Sequence, residues 1–132
     1  MIGLDTNVVV RFLAQDDDVQ SPIATRAISK LTRDNPGFVS AVVLAEISWV
    51  LTRAYRMSRP DLAMVIEGLL RSAEIRIENA EAAWRALGLY QAAKSLEFAD
   101  AFIAEINALA GAMQTVTFDR HASLEGGMKL LS

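Results

Sequence analysis

Apolar residues recur along the chain in two patterns, short unbroken runs and stripes at helical spacing. Ile2 to Leu4 is a short run that predicts a buried strand, and Val8 to Leu13 predicts the helix after it. Asp16-Asp17-Asp18 reads as a solvated turn. Ser21-Pro22 matches an N-cap followed by proline at the first helical position, and the helix is expected to run to about Arg33. Ala24, Ala27, Ile28 and Leu31 form its apolar stripe. Asn35-Pro36-Gly37 is a turn, and Phe38 to Ser40 a second strand. Ala41 to Ala54 predicts a helix, and Ser58-Arg59-Pro60-Asp61 opens the next with Ser58 as its cap. Ile75 to Ile77 alternates like a short extended segment, and Asn79 is expected to cap a helix to about Ala92. Leu96 to Ala110 predicts a further helix, ended by Gly111. Met113 to Thr117 reads as a strand, Leu124 to Gly127 as a turn, and Met128 to Leu131 as a last strand. Strands alternating with helices in this order predict an α/β class with a parallel sheet.

Length and charge narrow the picture. A chain of 132 residues fits a single domain spanning 1–132, and 52% apolar residues suit a sheet covered on both faces. There is no cysteine, which removes disulfides and thiolate metal sites. The chain opens straight into its first strand with no visible secretory signal, so a cytoplasmic location is expected. The apolar run Ala41 to Leu51 is broken by Glu46 and falls short of the about 20 residues that a bilayer needs. A net charge of −3 argues against coating nucleic acid by bulk electrostatics, yet leaves room for an acidic centre served by local arginines.

Four acids stand out against this background. Asp5 and Asp119 each follow a predicted strand, at the sheet edge where α/β proteins bind ligands. Each can cap the helix that follows or point at a ligand. Glu46 has Val42, Val43, Trp49 and Val50 around it, so it is either paired or escapes to solvent at the helix edge. Asp100 shares a face with Glu97 near a helix start, where like charges repel and the helix dipole offsets part of the cost. Right-handed crossovers bring strand ends and helix starts to one edge, so the four acids are expected to converge. At about 4 Å and an effective dielectric near 20, each like pair costs roughly 4 kcal/mol. Such a cluster needs a proton or a cation. Without cysteine the donors are oxygen, which suits Mg²⁺ or Mn²⁺ and phosphoryl chemistry by an activated water. His121, the only histidine, is expected at the surface.

Asp5-Thr6-Asn7, Val42 to Ile47, Glu97 to Ile103 and Thr117 to Arg120, in that order, resemble the motifs of PIN-domain proteins, and among them VapC-type toxins of toxin–antitoxin systems. The resemblance implies a three-layer α/β/α fold around a short parallel sheet. It implies a metal-dependent endoribonuclease with Asp5 and Asp100 as central ligands, Glu46 completing the site and Asp119 as the fourth acid. Asn7 and Thr117 match positions that orient the acids, whereas Glu97 departs from the aspartate of many relatives and falls outside the core site. A homodimer and a cognate antitoxin are implied as partners, with RNA as substrate. Arg11, Arg53 and Arg56 are candidates for contacting that RNA. Two other accounts compete. A phosphatase on a similar fold wants an aspartate where Asn7 stands, and a non-catalytic module would use the acids to seat a basic peptide.

Overall fold

Short apolar runs flanked by helix caps produce strands of two or three residues, each feeding a helix or a turn. The computed structural model describes residues 1–132. In chain order these are β1 (Ile2–Gly3), α1 (Thr6–Ala14), α2 (Gln20–Ser29), β2 (Gly37–Val39), α3 (Ala41–Arg53) and α4 (Arg59–Arg71). Then come β3 (Ile75–Ile77), α5 (Ala80–Ala92), α6 (Phe98–Leu109), β4 (Val116–Thr117), α7 (Arg120–Gly126) and β5 (Lys129–Leu130). The result is an α/β/α arrangement around a small parallel sheet.

β1, β2 and β3 pair in parallel in that order, with Ile2 opposite Gly37 and Gly37 opposite Ile75. β4 and β5 pair in parallel as a separate two-stranded sheet. Parallel pairing sends the carboxyl ends of β1 and β2 to one edge, where Asp5 and Ser40 cap α1 and α3. Gly37 is needed in the middle strand, because a Cβ there would meet Leu31 and Leu4 side chains at 2.8 Å.

One core of 24 buried residues lies beneath the helices. Leu44, Ile47 and Leu51 of α3 meet Phe98 and Phe102 of α6 in it, with Leu62 and Ile66 from α4. Tyr90 stands edge-on to Phe98 with centroids 6.3 Å apart. Arg59 fixes the end of α5. Its guanidinium donates to the carbonyls of Tyr90 and Leu96 at 2.9 Å each, and lies 4.0 Å from the Tyr90 ring centroid. Glu125 of α7 fixes the next turn by accepting from the backbone N–H groups of Lys94 and Ser95 at 2.8 and 3.0 Å. The Ser95 hydroxyl also donates to it, and these bonds hold its carboxyl down at about 2.

Several local expectations needed revision. The helix after the acidic turn starts at Gln20, one residue before Ser21, and ends at Ser29 rather than near Arg33. Its first N–H groups are served by Asp17, whose Oδ1 accepts from Val19 and Gln20 at 3.0 and 2.6 Å. Ser21 is instead buried and donates to the Arg11 carbonyl at 2.8 Å. Asp17 is thus a cap within the expected solvated turn, and those backbone bonds, from Gln20 first and then Val19, lower its pKa. Of the segment expected as a turn at Leu124 to Gly127, Leu124 to Gly126 form the end of α7, which Asp119 caps and Gly127 closes at φ 70°. The helix expected from Leu96 starts at Phe98, with Glu97 at its N-cap position.

Candidate active site

The acids sit on elements that pack in series, with α3 against both α1 and α6, and α7 against α6. Asp5 is exposed at the N-cap of α1, where its Oδ1 accepts from the Thr6 N–H at 2.9 Å. The buried Thr6 hydroxyl donates to Glu46 Oε1 at 3.2 Å, across 40 residues of sequence. Thr6 therefore touches both carboxylates and joins the start of α1 to the middle of α3. Glu46 is exposed, as are Val42 and Trp49 around it. The buried side of α3 is carried by Leu44, Ile47, Ser48 and Leu51. Of the apolar neighbours that made Glu46 look misplaced, Val42 and Trp49 thus belong to the outer face, while Val43 and Val50 pack at the margin of the core.

Asp100 lies in the first turn of α6 and is half-buried. Burial raises its pKa most, and the charges of Glu97 and Asp119 raise it further against the opposing pull of Arg53. Asp119 is exposed at the N-cap of α7 and accepts from the backbone N–H groups of His121 and Ala122 at 2.8 and 3.1 Å. Thr117 orients it through the backbone, its hydroxyl accepting from the Asp119 N–H at 3.0 Å. Asn7 is exposed and lines a groove with Val8, Arg11 and Gln20, and its side chain makes no hydrogen bond to any of the acids. His121 is exposed, with its Nδ1 2.8 Å from the Ser95 hydroxyl.

The structure thus joins Asp5 to Glu46 through Thr6, and sets Asp119 and Glu97 within electrostatic reach of Asp100. It gathers no three of these side chains around a single point suited to a metal ion. Two residues outside the expected acid quartet lie against it. Thr6 bridges the first pair, and its position between Asp5 and Asn7 in the opening motif was the available signal. Glu97 receives Arg53 at 3.1 and 3.2 Å and bears on Asp100, although it had been set aside from the core site. Of the three candidate arginines, Arg53 reaches this region. Arg11 is occupied by Asp16, Gln20 and Tyr55.

The model of the PIN domain matches residues 2–124. The chain belongs to the PIN-domain family. No curated protein and no solved structure matches it. PIN domains are in general metal-dependent nucleases, and this chain has a fold of that nuclease type. The donor chemistry of this PIN domain fits the implied ion, because Asp5, Glu46, Asp100 and Asp119 offer only hard oxygen ligands. The like charges that crowd Asp100 are also those that a divalent cation relieves. No helix of this PIN domain is long and apolar enough to cross a membrane.

Proposed function

We propose that this PIN domain, as one unit over residues 1–132, is a Mg²⁺-dependent endoribonuclease and the toxin of a cytoplasmic VapC-type toxin–antitoxin pair. The observation that carries the reading is the crowding of negative charge on half-buried Asp100 by Glu97 and Asp119, within a PIN fold. A carboxylate in that position is costly to ionise and gains from a bound cation. Asp5, Glu46, Asp100 and Asp119 would hold the ion, with Mn²⁺ as an alternative to Mg²⁺. Bound there, it supplies Lewis acidity toward a phosphodiester oxygen and lowers the pKa of water.

The chain's own side chains set the rest. Thr6 donates to the Glu46 carboxylate and so ties it to the start of α1, beside Asp5. Asp119 is oriented by its cap bonds, and Thr117 steadies the loop that carries it. Asn7 stands where a phosphatase of the haloacid dehalogenase kind wants its second aspartate, which favours the nuclease.

Partners follow from the same reading. A cognate antitoxin would occupy the apolar groove of about 460 Å³ lined by Phe12, Leu13, Ile28, Leu31, Met64 and Val65. Exposed Met113, Val116, Leu124 and Leu130 around β4 and β5 are the surface for a second copy of the chain in a homodimer.

Purified protein is tested on end-labelled RNA with Mg²⁺, with EDTA, and as Asp5→Ala and Asp100→Asn. Cleavage should fall at least about a hundredfold in each of the last three. Cleavage that survives EDTA or Asp100→Asn refutes the mechanism. Growth arrest on expression without antitoxin, relieved by Asp5→Ala, is expected of a toxin. Arrest that persists with Asp5→Ala would separate toxicity from hydrolysis.

A further inference from the structure

The outer face of α3 carries Glu46, Trp49 and Arg53 at spacings that stack them along one side of the helix. Trp49 is 45% exposed, a large indole left in water beside the acids. The Arg53 guanidinium lies 5.1 Å from its ring centroid and also holds both oxygens of Glu97 at 3.1 and 3.2 Å. One arginine therefore connects an exposed aromatic ring with Glu97, the N-cap residue of the helix whose first turn carries Asp100.

We infer that Trp49 and Arg53 form a docking platform for an unpaired nucleotide of the substrate, the base stacking on the indole and the neighbouring phosphate taking the guanidinium. This rests on the nuclease reading above and names the part of the substrate that this side of the site holds.

Three observations support it. Stacking on an exposed tryptophan needs a base whose face is free, which single-stranded RNA offers and a duplex does not. The chain has a net charge of −3, so a polyanion needs a local cation, and Arg53 is the one that stands between the Trp49 ring and the Glu97 carboxylate. The Arg53–Glu97 pair is also open to exchange. Both side chains are largely in solvent, 59% and 42% exposed, and such pairs contribute little to stability. A phosphate offers the guanidinium a charge-assisted, two-pronged partner at least as good as Glu97. Glu97 would then act as a placeholder that keeps Arg53 extended over the site until substrate arrives. Trp84 provides a built-in comparison. It is 37% exposed and has Arg71 at 5.1 Å, but it lies on α5 among none of the four acids.

The chain has two tryptophans, so Trp84→Phe leaves Trp49 as the sole indole emitter. That protein is titrated, with Mg²⁺, with a phosphorothioate single-stranded RNA of about ten nucleotides, a length typical of such sites. Trp49 emission should be quenched at saturation. Trp49→Ala should weaken binding by about ten- to a hundredfold, and Trp49→Phe should restore most of it. Arg53→Gln should lower the slope of log affinity against log salt by about 0.7, the signature of one lost phosphate contact on a single strand. Glu97→Gln should tighten binding a few-fold. Unchanged Trp49 emission, or wild-type affinity in Trp49→Ala, overturns the platform while RNA cleavage by the wild type keeps the nuclease reading standing. Quenching of Trp84 in the Trp49→Phe protein overturns it in favour of α5. A wild-type protein that neither binds nor cleaves single-stranded RNA removes both.

Discussion

Removing the Arg59 side chain should cost about 3 kcal/mol of folding stability, from the worth of its hydrogen bonds and ring contact less its entropy. Arg59 is half-buried between α4 and α5, and its Nη2 donates to the carbonyls of Tyr90 and Leu96 at 2.9 Å, with Ala93 at the longer 3.5 Å. Tyr90 in the last turn of α5 has a carbonyl without a helical partner, Leu96 lies in the connection that follows, and this one cation serves both. Two well-formed bonds from a charged donor contribute about 1.5–3 kcal/mol each. The contact with the Tyr90 ring adds roughly 0.5–2 kcal/mol. Ordering the long side chain offsets about 2 kcal/mol. The balance is a substantial part of the about 5–15 kcal/mol that a domain has in total. Urea denaturation at neutral pH of wild type, Arg59→Ala and Arg59→Lys measures it, and a loss near 3 kcal/mol should lower Tm by roughly 10 °C. Lysine keeps the charge but lacks the planar fork, so it should recover less than half of the loss. If Arg59→Ala stays within about 0.5 kcal/mol of wild type, as ordinary surface changes do, the reasoning about this clamp is refuted.

Two further predictions concern ionisation. Asp100 has a raised pKa, so its contribution to stability is complete below its ordinary value of 3.8 and is lost as pH rises through the folded value. Asp100→Asn should therefore gain stability relative to wild type as melts move from acid to neutral pH, and a difference that shrinks over that range contradicts the assigned burial and charge crowding. Glu125 behaves in the opposite sense: held at about 2 against an ordinary 4.5, it contributes above the higher value and loses its contribution as pH falls toward the lower. Circular dichroism on acid titration should show Glu125→Gln unfolding with a shallower response in that window, and a response identical to wild type would show that its bonds to Lys94 and Ser95 carry no weight.

The sequence by itself determined the features that depend on neighbours within a turn or two. Ser58 caps its helix as its position predicted, and Asp5 and Asp119 do so at the ends of short strands, whereas Ser40, expected to end a strand, turned out to cap α3. The order of strands and helices, the parallel pairing and the α/β class follow from apolar patterning, because the backbone periods that bury those residues are local. Locality also explains the errors. Ser21-Pro22 satisfied a helix-start pattern, yet Asp17 reached the free N–H groups first and Ser21 was buried against α1. Leu124 to Gly127 held the residues of a turn, but Asp119 upstream supplied the cap that made most of them helix.

Only the tertiary structure decided what each acid faces. Glu46 gained Thr6 from 40 residues away, Arg53 gained Glu97 from 44, and Asp100 gained the field of Asp119. It also decided that Trp49 and Glu46 share the outer side of α3, which the apolar neighbours of Glu46 had obscured. Charge falls off with distance in space and ignores distance along the chain. The residues that could be active were therefore visible as types and positions, while their partners came only from the packing of α3 between α1 and α6 and of α7 on α6.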